Sequence, residues 1–140
     1  MTGTSWTPAL SIGHDQIDAQ HQELFRRVAA LLEAMMSGDR AVVAQLFDFL
    51  GSYVVEHFAA EEQLMVASAF PGYNVHKAAH ERFVRDYQAL RKLHESTGAN
   101  AAVTIKARTW LYEWLTNHIG GTDMLLARHL RGKQAAVAVG

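Results

Sequence analysis

The chain has 140 residues, of which 49% are hydrophobic and 19% charged, and its formal net charge is −1. This composition is typical of one globular domain spanning residues 1–140, and it gives no support for a nucleic-acid or acidic-membrane surface. Cysteine is absent, which excludes disulfides, thiolate metal sites and iron–sulfur clusters. The sequence shows no signal-peptide pattern and no apolar run long enough for membrane insertion, so we expect a cytoplasmic protein.

The first 14 residues are predicted to form an irregular N-terminal arm, with Trp6 as its anchor. Asp15 and Asp18 have the spacing of an N-cap and an acidic third residue, which marks the start of the first helix. This helix is expected to end near Met36, where a serine and a glycine follow. The arm is thus predicted to lead directly into the first core helix.

Three more helices are predicted from apolar residues that recur at helical spacing, over about 40–67, 75–94 and 101–130. A Phe-Pro-Gly turn separates the second and third helices, and residues 131–140 are predicted to be a frayed tail. Four helices of this length, joined by short loops, favour an all-α fold: an antiparallel up-down-up-down four-helix bundle.

Ionisable residues continue the apolar stripe of each predicted helix instead of interrupting it. They are His21 in the first helix, His57 and Glu61 in the second, His76 and His80 in the third, and His118 in the fourth. Burying such groups without partners would cost about 1–3 kcal/mol each, and more for a charged carboxylate. A metal ion would remove this cost, because it uses the lone pairs as ligands.

Each group also has an ordinary structural interpretation. A single histidine on an apolar face, such as His21, is more often a hydrogen-bonded core residue than a ligand. His57 and Glu61 could form a hydrogen bond within their helix. His76 and His80 favour a metal more strongly, because adjacent imidazoles repel each other when both are protonated. Since all four helices contribute and the groups can meet at one level, the sequence predicts a metal site.

Without thiolates, an imidazole-rich site suits zinc, copper, iron or nickel. Five imidazoles are too many for one tetrahedral ion, whereas two carboxylates can each bridge a pair of ions. Glu61 is one candidate bridge, and Asp123, the first acidic residue after His118 along the last helix, is the other. These residues indicate two ions that share two carboxylates.

His118 and Asp123 are five residues apart, which offsets them by about 140° on a regular α-helix. Gly120 and Gly121 lie between them and weaken the helix at this point. We therefore predict a local widening, such as a π-bulge, that returns both side chains to one face.

Four segments carry these residues in a recurring order: IDAQH (17–21), HFAAEEQLM (57–65), HKAAH (76–80) and WLTNHIGGTD (114–123). The pattern His, His-x3-Glu, His-x3-His and His-x4-Asp resembles the hemerythrin family, in particular its bacterial single-domain members. The resemblance spans nearly the whole chain and fills all seven ligand positions of the family.

The resemblance implies reversible dioxygen binding at a pair of non-haem Fe ions, for oxygen storage, delivery or sensing. One iron would be held by His76, His80 and His118, the other by His21 and His57, and both by the bridging Glu61 and Asp123. A solvent-derived oxo or hydroxo group would be the third bridge, and dioxygen would bind at the open position of the iron that has two histidines.

The family surrounds this open position with bulky apolar side chains, and Trp114, Leu115 and Ile119 match them here. The same residues also fit an ordinary bundle core. Around the iron they are expected to exclude water and anions. His14 is expected near the helix start without a ligand role, and the remaining two histidines are expected at the surface.

Two other functions remain open beside oxygen binding. A diiron oxidase or peroxidase is one, although such bundles usually use paired Glu-x-x-His motifs, which this sequence lacks. A sensor that acts through a partner protein is the other. We expect a binding protein rather than an enzyme, with an electron-donor reductase or an oxygen-consuming protein as possible partner.

Overall fold

The computed structural model describes residues 5–98 and 100–139, with side chains through residue 133. Within these ranges the chain is helical and contains no β-strand. The α-helices are α1 (Asp15–Ser37), α2 (Arg40–Ala67), α3 (Tyr73–Thr97), α4 (Ala101–Asn117) and α5 (Asp123–Val139). A π-helical segment, His118–Thr122, joins α4 and α5 into one long fourth helix.

The four long helices pack as a closed bundle. Helix α1 contacts α2 and α4, and α3 contacts the same two helices from the other side. Loops of only a few residues connect successive helices, so neighbours run antiparallel. The predicted all-α four-helix bundle is therefore confirmed. None of the described helices is both long and apolar enough to span a membrane.

The N-terminal arm is tied to α1 by hydrogen bonds that differ from the predicted cap. His14, not Asp15, is the N-cap of α1, and its Nδ1 accepts the backbone N–H of Ile17 at 3.3 Å. Asp18 instead turns back to the arm, where it accepts the hydroxyl of Ser11 and the backbone N–H of Ile12. The sequence prediction missed this because the spacing of two aspartates resembles a cap, whereas the imidazole nitrogen makes the bond.

A large hydrophobic core joins α1, α2, α3 and α4, and Ile12, Ile17 and Ala127 form a second, smaller cluster. Trp6 packs half-buried against this core, as predicted. His94 was expected at the surface, but it is only 6% exposed and lies 5.8 Å from the ring of Phe47. His94 lies four residues after Leu90 on α3, so it continues the buried face that carries Leu90.

The predicted π-bulge is confirmed at His118–Thr122. The extra residue in this turn changes the phase of the helix, so that Leu125, which on a regular helix would share the face of His118 seven residues earlier, is 55% exposed. Leu126 and Ala127 are fully buried in its place. A straight 3.6-residue repeat could not place these residues correctly, since it does not include the inserted position.

The last helix is longer than the sequence indicated. Its backbone is helical to Val139, past the predicted end near residue 130. No proline interrupts this stretch, and alanine, lysine and glutamine all favour helix. Fraying of residues 131–140 stays a prediction, because side chains from residue 134 onward lie outside the described residues.

The bonds of Asp18 generate a prediction about the arm. Replacing Asp18 with alanine should lower the free energy of unfolding by about 1–3 kcal/mol, since two hydrogen bonds to a carboxylate are lost. Asp15→Ala should cost less, because an exposed acid in the first turn contributes about 0.3–1 kcal/mol through the helix dipole. Urea unfolding of both variants at equal metal content checks this, and a larger loss for Asp15→Ala would contradict it.

Candidate metal centre

Every helix of the bundle places at least one ionisable side chain at the same level of the interior. The structure brings together all seven predicted ligands: His21, His57, Glu61, His76, His80, His118 and Asp123. Each of these side chains is buried, and Glu61 and Asp123 have no exposed surface. The i, i+4 spacings explain the placement within α2 and α3, because such residues lie on one helix face.

Glu61 contacts one set of imidazoles in the cluster. Its Oε1 is 3.0 Å from Nε2 of His57 and 3.4 Å from Nε2 of His80. Its Oε2 faces His21, with a separation of 3.8 Å from Nε2. One carboxylate thus reaches imidazoles from three helices.

Asp123 contacts a second set of imidazoles, which shares His21 with the first. Its Oδ1 is 2.9 Å from Nε2 of His76 and 3.0 Å from Nε2 of His118, while its Oδ2 is 3.2 Å from Nε2 of His21. The π segment makes this possible, because it turns Asp123 onto the face of His118. Both carboxylates therefore contact histidines from each of the two predicted iron sites.

The donor set fits metal ions. Among the described residues, buried nitrogen and oxygen atoms of this cluster have no hydrogen-bond partner, including Nε2 of His21, His76 and His118 and both oxygens of Asp123. Such orphaned atoms would be costly in a core unless an ion used them. Two ligands about 2.1 Å from one ion and at right angles to each other lie about 3 Å apart, which is close to the observed N–O separations.

The charges of the cluster compensate one another. Burial by itself raises the pKa of Asp123, but the surrounding imidazoles outweigh this effect and hold that pKa well below its usual value. Glu61 likewise has a lowered pKa. Burial lowers the pKa of His21, but its contacts with Asp123 and Glu61 raise the pKa to about 9. The carboxylates are therefore anionic and suited to binding cations.

Two imidazoles are oriented from outside the cluster by residues that the sequence did not indicate. Nδ1 of His57 donates to Oε1 of Gln20 at 2.8 Å, and Nδ1 of His80 donates to Oε2 of Glu62 at 3.0 Å. With Nδ1 protonated, the lone pair of Nε2 points into the cluster, as a metal requires. Gln20 could have been found only by knowing how α1 is rotated against α2.

Apolar side chains enclose the cluster. The ring of Phe58 stacks on His80 with centroids 3.8 Å apart, and the ring of Trp114 stacks on His118 at 4.3 Å. Leu115 and Ile119 are buried at this level of α4 and the π segment, whereas Trp114 is half-buried. The three predicted pocket residues thus lie next to or within one turn of His118, and their role in oxygen binding stays a prediction.

A four-helix bundle whose core holds imidazoles and carboxylates defines a class of metal-binding helical proteins. The model of one family in this class, described as the Hemerythrin HHE cation binding domain, matches residues 12–130. Because this match covers most of the chain, the chain belongs to the hemerythrin family. The resemblance seen in the four sequence segments is confirmed.

Individual relatives agree with this assignment. The bacteriohemerythrin of Stenotrophomonas maltophilia (strain R551-3) is 34% identical over 126 residues, which cover 90% of this chain and 80% of that protein. The myohemerythrin of Riftia pachyptila is 33% identical over 119 residues, or 84% of this chain and 86% of that one. A crystal structure of wild-type hemerythrin superposes with a TM-score of 0.79 at 29% identity, covering 90% of this chain and 96% of that chain.

The contact between His80 and Glu62 generates a prediction about metal affinity. Glu62→Ala should weaken metal binding by about 10–100-fold, because the imidazole loses the carboxylate that orients it and raises its basicity. Glu56→Ala, an exposed glutamate on the same helix, is the matched control and should bind metal as the unchanged chain does. Competition with a metal chelator measures both affinities, and equal values for the two variants would contradict the prediction.

The raised pKa of His21 generates a second prediction. At neutral pH this imidazole carries a proton that a metal must displace, so metal uptake should acidify a weakly buffered solution. In the ion-free protein the attraction between protonated His21 and the carboxylates of Asp123 and Glu61 stabilises the fold fully below about pH 6.5. This stabilisation is lost as the pH rises through the pKa of His21, about 9. An indicator dye can follow the released protons, and uptake without acidification would contradict the assignment.

Proposed function

We propose that this protein binds dioxygen reversibly at a non-haem diiron centre in the core of the bundle. The observation that carries the proposal is the buried cluster of five imidazoles and two carboxylates, in which facing atoms of six of the seven side chains have no hydrogen-bond partner. Membership of the hemerythrin family supports iron as the metal, and the similar bacteriohemerythrin and myohemerythrin support dioxygen as the ligand.

The ligand contacts support a division of the cluster into two halves. We assign His76, His80 and His118 to one iron, His21 and His57 to the other, and Glu61 and Asp123 to both. The bridging assignment is supported by the contacts of each carboxylate, since Glu61 and Asp123 each face histidines of both halves. When bound, the iron pair would supply the electrons that let dioxygen bind and leave again.

The chain's own residues would determine how readily this exchange can be reversed. The two carboxylates neutralise part of the ionic charge inside a low-dielectric core, so that ions can stay buried. Trp114, Leu115 and Ile119 place apolar surface around His118 and would keep water and anions away. A dry pocket favours release of the bound gas over irreversible oxidation.

We propose binding, rather than catalysis, as the main activity. The family is associated with oxygen-binding relatives such as myohemerythrin. The site uses two carboxylates and five imidazoles, in contrast to the carboxylate-rich sites of oxygen-activating bundles. The buried His94 packs against Phe47 in the hydrophobic core and therefore does not add an imidazole to these five.

The proposal includes a setting for this activity. An oxidised centre needs an electron donor, and released oxygen needs a protein that consumes it. We therefore propose an electron-donor reductase or an oxygen-consuming protein as partner, with the cytoplasm as location. We further propose that residues 1–140 form a single hemerythrin-like domain. The match over residues 12–130 supports this, since it includes all seven proposed ligands.

The deciding experiment is to load the full chain with iron, count the iron per chain, and record visible spectra while cycling between argon and air. We expect two irons per chain and charge-transfer bands that appear in air and vanish under argon. His21→Ala should lose this behaviour, and His14→Ala, whose imidazole caps α1, should keep it. Bands that form once and never reverse would instead support an oxidase or peroxidase.

The pocket assignment generates a prediction about autoxidation. Leu115→Ala should speed the irreversible oxidation of the oxygenated protein, because shortening this buried side chain admits water next to His118. Leu111→Ala, one turn earlier on α4 and equally buried, controls for the general effect of a core cavity. The decay of the visible bands in air measures both rates, and equal rates would remove Leu115 from the pocket.

A further inference from the structure

A row of aromatic rings runs from the metal cluster along α4 towards the surface. Trp114 stacks on His118 with ring centroids 4.3 Å apart and an angle of 11° between planes. Phe83 lies 4.2 Å from Trp114 and 5.0 Å from Trp110, and its ring is nearly parallel to that of Trp110. Each ring is therefore in van der Waals contact with the next, from a proposed iron ligand to a half-buried indole.

A surface cavity of about 380 Å³ lies at the outer end of this row. Its lining combines apolar walls with one acidic and one basic side chain. The lining residues are Asp86, Ala89, Leu90, Leu93, Lys106 and Trp110. A cavity of this size holds a small organic molecule, and its walls suit an aromatic ring that carries a polar group.

We propose that this cavity binds a small phenolic electron donor, and that Trp110, Phe83 and Trp114 conduct its electrons to the metal centre after the centre has reacted with hydrogen peroxide. The inference rests on the metal centre proposed above and adds an activity beyond reversible oxygen binding. This electron transfer is protective, because electrons from the phenol remove oxidising equivalents that would otherwise damage the metal-binding side chains.

The two indoles are the electron carriers in this row. Among the protein's aromatic side chains, tryptophan and tyrosine lose an electron far more readily than phenylalanine does. Phe83 therefore serves as the contact between Trp114 and Trp110 and does not itself hold the charge. Trp114 passes an electron to the centre through His118, Trp110 replaces it across Phe83, and the phenol in the cavity replaces the electron of Trp110.

The reaction balances with hydrogen peroxide as oxidant and the phenol as reductant. One hydrogen peroxide takes up two electrons and two protons, its O–O bond breaks, and two water molecules form. Two phenols each lose one electron and one proton, and two phenoxyl radicals leave the cavity. Asp86, at the cavity wall, is placed to accept the phenolic proton and return it to solvent.

Trp6 provides a matched comparison within the same chain. It is also half-buried, but no ring contact joins it to the cluster within residues 5–98 and 100–133, and it lines a different surface cavity with Phe25. If the aromatic row were only core packing, removal of Trp110 and removal of Trp6 would have the same small effect on electron transfer. The proposal requires Trp110 and Trp6 to differ.

The test uses the iron-loaded full chain, hydrogen peroxide as oxidant and guaiacol as the phenol. Trp110→Phe should lose most of the guaiacol oxidation, and the tryptophanyl radical that forms without guaiacol, seen by electron paramagnetic resonance after rapid freezing, should weaken. Trp6→Phe should keep both signals. Equal behaviour of the two variants would overturn the proposal.

A binding measurement without peroxide separates the cavity from the chemistry. Equilibrium dialysis of guaiacol against the iron-loaded chain should show weaker binding for Trp110→Phe and Asp86→Asn than for Trp6→Phe, and equal binding would refute the cavity as the donor site. Iron content and oxygen cycling are measured first in each variant. A chain that takes up no iron contradicts the proposed function, whereas a reversible oxygen carrier that oxidises no guaiacol contradicts this inference alone.

Discussion

The structure depends on one constraint: seven ionisable side chains are buried together in an apolar bundle, and none of them can be left uncompensated. Unpaired polar groups in such a core would cost more than the marginal stability of a domain of this size allows. Each carboxylate therefore faces imidazoles from several helices, and His21 contacts both carboxylates. The relative rotation of the four helices follows from this requirement as much as from the packing of leucines and phenylalanines.

The same constraint explains the irregular part of the fourth helix. A regular α-helix would place Asp123 well away from His118, yet both must face the cluster. The π segment resolves the conflict by adding a residue to one turn, at a point where two glycines reduce the resistance to distortion. Its effect extends beyond the site, because every later residue of the helix is rotated, and Leu126 takes the buried position in place of Leu125.

Around the ligands, the outer contacts differ from one imidazole to the next. His80 donates to a carboxylate, whereas His57 donates to an amide, so the two halves of the cluster are unlike in charge as well as in histidine number. The aromatic surroundings are also uneven, with Phe58 against His80 and Trp114 against His118. The second of these stacks begins the ring row that reaches the surface at Trp110, so the enclosing wall is also a path through the protein.

Sequence alone determined the four-helix pattern, the seven candidate ligands and the π-bulge, because all of these depend on spacing within a single helix. Even the bounds of α2 were predicted closely, since a Ser-Gly stop before it and a Phe-Pro-Gly turn after it are local signals. Tertiary structure decided the rest. The burial of His94, the contact of Gln20 with His57 and the ring row from His118 to Trp110 each depend on which face of one element meets another. That arrangement is set by packing across the bundle, which the spacing along one helix does not encode.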